Sequence, residues 1–264
     1  MKPILYPTFA DAIQQAAFYL QYRSKLVHSA RWQGSDIANR PEMATHEVTH
    51  LSFGVSLDEM RVPSTAVGAT LGTLAEDIKP NLPWADDHFE ERVCGAPINP
   101  GVEWANWPYG KSAATFLDEH GKFNHNYMER YWPKWAGIIE DPTRSVSAFN
   151  HYFDETYSIH SPLQGIKYEY GDLNDVVELL AGDPYTRQAY LPVWFPEDTG
   201  GGSKRAPCTI GYHFLMRDGH LDVNYEIRSC GFVRHFRDDL YLTTRLLLWV
   251  LNRCRDRDPR WNDV

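Results

Sequence analysis

Cys208 lies in the run Arg205-Ala206-Pro207-Cys208-Thr209, with Arg228-Ser229 beginning twenty residues further on and Asp239 thirty-one residues further on. A thiol attacks as its thiolate, and nearby positive charge favours that form. Arg205 and Arg228 are the residues placed to supply it. A thiolate can add to carbon 6 of a pyrimidine ring, breaking its aromaticity and making carbon 5 nucleophilic toward a one-carbon electrophile. Arg228 followed by Ser229 sets a guanidinium fork beside a hydroxyl, a pairing suited to phosphate. The alternative for Cys208 is a buried structural cysteine, the commoner fate of a free thiol.

The surrounding runs carry a family likeness. Asp183-Pro184-Tyr185-Thr186-Arg187, then Leu191-Pro192-Val193-Trp194-Phe195-Pro196, then Ala206-Pro207-Cys208, and finally Ile227-Arg228-Ser229-Cys230-Gly231 through Phe236-Arg237-Asp238-Asp239 resemble, in order, the signature blocks of the thymidylate synthase family. The last block is closest to the phage deoxycytidylate hydroxymethylases. That resemblance implies an α+β fold, a mixed sheet with surrounding helices that dimerises through the sheet. It also implies a pyrimidine nucleoside monophosphate as substrate and 5,10-methylenetetrahydrofolate as one-carbon donor, with water rather than hydride completing the reaction. Asp239 stands where uracil-reading relatives carry asparagine. A carboxyl group accepts from the exocyclic amine of cytosine, so the resemblance implies deoxycytidylate or cytidylate. Taken alone, Asp239 also suits the N-cap of the helix that follows.

Other site residues follow from the same resemblance. Arg40, in Arg40-Pro41-Glu42-Met43-Ala44-Thr45, matches the phosphate loop; Arg187 matches an arginine that reaches the partner subunit's phosphate. With Arg228 and Ser229 they would form an arginine pocket for an anion in a chain whose net charge is −9. The general acid/base falls on Glu91 or Glu90, with Glu91 the preferred candidate. Trp104 and Trp107 fall on the folate side. Tyr127, in Asn124-His125-Asn126-Tyr127, is the active-site tyrosine, with Tyr168 or Tyr170 as the rival alignment. His213 stands where the family has a glutamine, either for polar substrate contacts or as a satisfied core histidine. Gly231 replaces a family aspartate that helps to hold folate, and the late strand that grips the sugar has no counterpart before Val264.

His46-Glu47-Val48-Thr49-His50 matches the HExxH zinc signature, which works only on a helix, where residues four apart share a face. Val48 onward alternates with period two and is rich in β-branched residues, so a strand is expected. On a strand the two imidazoles would stand roughly 13 Å apart, too far for one metal.

At 264 residues and 43% hydrophobic content the chain is long enough for one large domain, with an insertion relative to the family between about 108 and 165. The acidic balance argues against a nucleic-acid surface. Neither a signal peptide nor a membrane span is apparent, and Cys94, Cys208, Cys230 and Cys254 have neither metal nor disulfide spacing, which points to reduced thiols in the cytoplasm. Periodicity and turn signals predict helices near 8–28, ending by Cys94, over 172–181 and from Asp238 to about Arg253. The last presents Leu242, Leu246, Val250 and Leu251 on its apolar face. Strands are expected near 45–57, 187–194, 208–217 and 220–229, the last two joined at Asp218-Gly219.

Overall fold

The computed structural model describes residues 3–32, 35–57, 67–136, 170–199 and 205–264. Its contacts group into two compact units, Met1–Asn81 with Gly231–Tyr241, and Leu82–Cys230 with Leu242–Val264.

In the first unit, strand β1 (Ile4–Tyr6) leads into helix α1 (Phe9–Arg23). Thr8 starts α1 because its hydroxyl accepts from the Asp11 N–H at 3.1 Å, while Asp77 accepts from the next two free donors, Phe9 N and Ala10 N, at 2.7 and 3.1 Å. Asp77 comes from helix α2 (Val67–Ile78). The sequence predicted α1 to run on to 28. It ends at Arg23 instead, because Lys25–Val27 (β2) is drawn into antiparallel pairing with Thr45–Glu47 (β5). Arg31–Trp32 (β3) pairs with Ser35–Asp36 (β4), and β1 pairs in parallel with Phe53–Val55 (β6).

The predicted strand over 45–57 is therefore two short ones. His50 breaks it with φ 61°, a left-handed conformation that no ladder accommodates. The HExxH run is accordingly not helical: His46 lies in β5 with Nδ1 3.1 Å from Ser24 Oγ.

The second unit holds helix α3 (Trp84–Val93), short helices α4 (Gly110–Ala113) and α5 (Tyr127–Tyr131), helix α6 (Leu173–Gly182), strand β7 (Tyr190–Pro192) and short helix α7 (Pro196–Thr199). Strands β8 (Thr209–Arg217) and β9 (His220–Ile227) follow, and helix α8 (Phe236–Arg257) passes its first residues through the first unit before entering this one. The hairpin is closed by Asp218 at φ 52° and Gly219 at φ 79°, the paired positive values of a tight strand-matching turn. Helix α6 begins at a capping box: Asp172 accepts from Asn174 N and Asp175 N, and Asp175 accepts from Asp172 N at 2.8 Å.

One face of the antiparallel order β7-β8-β9 carries Leu191, Tyr212, Phe214 and Met216 into a core shared with Leu173, Val176, Val177 and Leu180 of α6 and Leu242, Leu246 and Val250 of α8. Leu251 packs against that core only in part. The protein is thus α+β as predicted, but among the described residues the strands form four small sheets rather than one mixed sheet. The physical reason is visible in the first unit, where β2, β3, β4 and β5 are exposed at every residue. With no buried face, alternation cannot recruit further strands. Part of the predicted insertion, 137–169, lies outside the described residues, as does Tyr168.

Candidate active site

Cys208 precedes β8 by one residue, in a loop shaped from both sides. Register shifts between Thr209 and Gly211, and the Ile210 carbonyl in that bulge accepts from both Val193 N and Trp194 N, at 2.9 and 3.0 Å. Position 211 must be glycine, since a Cβ there would run into the Tyr190 hydroxyl. Arg228 fastens the loop: its N–H donates to the Cys208 carbonyl (2.9 Å), its Nε to the Pro207 carbonyl (2.9 Å) and its Nη2 to the Ala206 carbonyl (3.0 Å). The same Nη2 stands 4.0 Å from Cys208 Sγ, and Ser229 Oγ donates to the sulfur at 3.7 Å. Cys208 itself is half-buried, so its sulfur is approachable and has a cation and a donor beside it. That is the setting a nucleophilic sulfur requires.

Behind the cysteine lies a run of hydroxyls. Thr209 is fully buried, and its Oγ1 is 2.9 Å from the Tyr127 hydroxyl and 3.0 Å from the Tyr225 hydroxyl. Arg205 lies against the Phe116 ring at 4.3 Å and interacts electrostatically with both Cys208 and Tyr127. Burial lowers its affinity for its proton, and those two groups oppose that. His125 is buried beside it. Burial first, then the charges of Arg205, Arg130 and Arg228, pull its pKa down to about 3, so the imidazole is neutral. Arg130 is itself neutralised by two bonds to Asp198 at 2.8 and 2.9 Å.

Glu91 and Glu90, adjacent in sequence, have different fates. Glu90 is exposed and meets Arg245 at 2.8 Å on the surface. The Glu91 side chain is 12% exposed: Oε1 accepts from Val102 N (2.5 Å) and Glu103 N (3.1 Å), and Oε2 faces His88 Nδ1 at 3.3 Å. Those backbone donors open the 3-10 turn Glu103–Asn106, where a negative charge is favoured. Arg92 Nε donates to His88 Nε2 at 3.0 Å, and its guanidinium lies 4.0 Å above the Tyr127 ring. Glu91 therefore meets the surroundings of the cysteine through His88, Arg92 and Tyr127. Trp84 stacks on His88 at 4.9 Å and packs on Trp107, while Trp104 stands edge-on to Phe123. Trp104 and Trp107 are half-buried.

The remaining predicted residues fall elsewhere. His213 is not a core histidine: it is partly exposed on the sheet face opposite Tyr212, and its Nε2 meets the Arg187 carbonyl at 3.1 Å. Arg187 is exposed. In the first unit, Arg40 pairs with Glu42 at 3.1 Å with both side chains open to solvent. Because α8 starts at Phe236, Asp239 is not its N-cap but part of its first turn, half-buried, with its N–H donating to the His235 carbonyl at 2.7 Å. The buried acid is its neighbour Asp238, which accepts from Asn81 N and Nδ2, both at 2.8 Å. Tyr170 packs edge-on against Phe195 and is exposed. Sequence reasoning did not single out His88, Arg92, His125 or Thr209. The spacings of His88 to Glu91 and Arg92, three and four residues along a helix, are the signal that would have found the first two.

No family model matches the chain. Over 125 residues it is 29% identical to the deoxyuridylate hydroxymethyltransferase of Bacillus phage SP01, which covers 46% of this chain and 26% of that protein's length. Among the described residues no helix is long and apolar enough to cross a membrane, and no three His, Cys, Asp or Glu side chains gather into a metal site.

Proposed function

We propose that this chain is a one-carbon transferase that places a hydroxymethyl group on carbon 5 of a pyrimidine nucleoside monophosphate. The observation that carries the reading is Cys208, half-buried with Ser229 Oγ and Arg228 Nη2 on its sulfur. The likeness to a phage hydroxymethyltransferase supports it. Cys208 Sγ adds to carbon 6 of the base. Carbon 5 then gains the one-carbon unit and loses its proton, for which the linked hydroxyls of Tyr127, Thr209 and Tyr225 provide a path. Trp104 and Trp107, half-buried aromatic side chains, would pack against a flat heteroaromatic ring. Methylenetetrahydrofolate bound there would supply the carbon at the formaldehyde oxidation level. Tetrahydrofolate would depart from that carbon, water would take its place, and the thiolate would leave as the ring regains its aromaticity. Arg228 and Ser229, with the exposed Arg187 of a second copy in a sheet-mediated homodimer, would hold the phosphate.

The carboxylate of Asp239 favours cytosine, hence deoxycytidylate or cytidylate. A second reading, deoxyuridylate, is favoured by the phage relative, a deoxyuridylate hydroxymethyltransferase. Purified protein incubated with methylenetetrahydrofolate and each of dCMP, CMP and dUMP, with the products weighed by mass spectrometry, decides between them. A gain of one hydroxymethyl group on a cytosine nucleotide supports the first, on dUMP the second, and no mass gain on any overturns both. Cys208→Ser is expected to lower turnover by about three orders of magnitude or more. Mixing it with Arg187→Ala should restore part of the activity if subunits share sites.

A further inference from the structure

We propose that His88 is a positioning residue, an uncharged hydrogen-bond bridge that holds the Arg92 guanidinium over the ring of Tyr127 and so fixes the hydroxyls beside Cys208. This assigns a residue to the site proposed above and rests on that reading.

The bridge follows from hydrogen-bond polarity. A guanidinium N–H can only donate, so Arg92 Nε at 3.0 Å requires a lone pair on His88 Nε2. The proton of the neutral ring must then sit on Nδ1, where it donates to Glu91 Oε2 at 3.3 Å. Glu91 is in turn anchored by Val102 N and Glu103 N. The order runs from a backbone-anchored carboxylate, through a ring of fixed tautomer, to a cation. Arg92 is buried, and its backbone carbonyl accepts from Trp132 Nε1 at 2.9 Å, so neither end of that residue is free to drift. Its charge sits 4.0 Å above Tyr127, whose hydroxyl is 2.9 Å from Thr209 Oγ1, one residue from the nucleophile.

Burial and the adjacent Arg92 charge keep His88 neutral, pulling it down to about 4 against the opposing pull of Glu91; Arg92 and Glu91 are the charged groups that act on it. An imidazolium here would turn its Nε2–H against Arg92 and break the bridge. Trp84, stacked on the ring at 4.9 Å, keeps it in plane with its two partners. The positive charge on the phenol face then stabilises the electron density that gathers on the Tyr127 oxygen whenever its hydroxyl gives up or shares a proton. Arg205 acts on Tyr127 as well, and Tyr131 and Tyr212 are further titratable neighbours.

Two measurements test the proposal. In protein labelled with nitrogen-15 at histidine and assigned with His88→Gln, His88 should appear at pH 6 as the neutral Nδ1–H form, the minor tautomer of free histidine. An Nε2–H ring, or an imidazolium at that pH, would overturn it. In steady-state kinetics on whichever pyrimidine nucleotide is turned over, His88→Phe should lower kcat about 10-fold or more with KM within about 3-fold. His88→Gln, whose amide offers the same acceptor and donor, should recover kcat to within about 3-fold of the parent. A folded His88→Phe with unchanged kcat, or equal loss in the two variants, counts against the bridge. Should His88→Phe fail to fold, Arg92→Lys, which keeps the charge and loses the planar fork, is expected to show the same split. Absence of turnover in the parent protein would sink the transferase reading, while the tautomer would still decide the role of His88.

Discussion

The two compact units treat the same kinds of residue in opposite ways. In the first, β2 through β5 are exposed throughout, and Leu26 and Trp32 lie open at 66% and 44%. In the second, the inward residues of β7 and β8 are at or near zero exposure, and Glu91, Arg92 and Arg130 enter with hydrogen-bond partners. The difference teaches that the site proposed around Cys208 lies where a packed core can hold polar side chains in fixed directions. A neutral histidine, a fixed tautomer and a charge above a phenol need an environment that excludes water.

The contrast is broken most directly through packing. Leu246→Ala removes a fully buried side chain between α8 and the sheet, and is expected to cost about 2–5 kcal/mol in chemical denaturation. Leu26→Ala, in an exposed strand of the first unit, should stay within about 0.5 kcal/mol. Similar losses for the two would erase the distinction.

Acid sharpens it next. The folded pKa of His88, about 4, is depressed below the ordinary value of 6.5. Its contribution is therefore complete above pH 6.5 and disappears as pH falls through 4. Converted from the shift, that amounts to about 3 kcal/mol. Asp172, pushed up to about 6 chiefly by burial, works in the other direction over the same range. Comparing the parent with His88→Gln cancels it: the stability advantage of the parent over the variant should shrink by about that amount between pH 7 and pH 4. A constant difference would mean that His88 is not held neutral.

The smallest effect separates the paired acids at the start of α8. Asp238→Ala leaves Asn81 N and Nδ2 without their acceptor and should cost about 1–3 kcal/mol. Asp239→Asn should leave thermal stability nearly unchanged and shift base preference toward uracil in the nucleotide assay. An unshifted preference would remove Asp239 from base reading.

Much of this was legible in the chain, where the signal is local. Asp218-Gly219 announces the hairpin because both positions tolerate positive φ, and the start of α6 is written in Asp172 and Asp175, which satisfy each other's backbone across three residues. The long α8 and its face of Leu242, Leu246 and Val250 follow from period alone. What was misread depends on distant partners. β2 took the end of α1 because of pairing with β5, and the expected strand over 45–57 split at a single left-handed histidine.

The site divides along the same line. Residue order by itself fixed that Cys208, Arg228 and Ser229 would be neighbours, because a tight hairpin leaves adjacent strands one register and brings their ends together. It could not say which of Glu90 and Glu91, or which of Asp238 and Asp239, would be buried. Each of those depends on a group many residues away, such as Arg245 or Asn81, and only tertiary packing brings that group within hydrogen-bond contact. Local sequence encodes backbone geometry; the removal of water and the arrival of distant partners decide what each side chain can do.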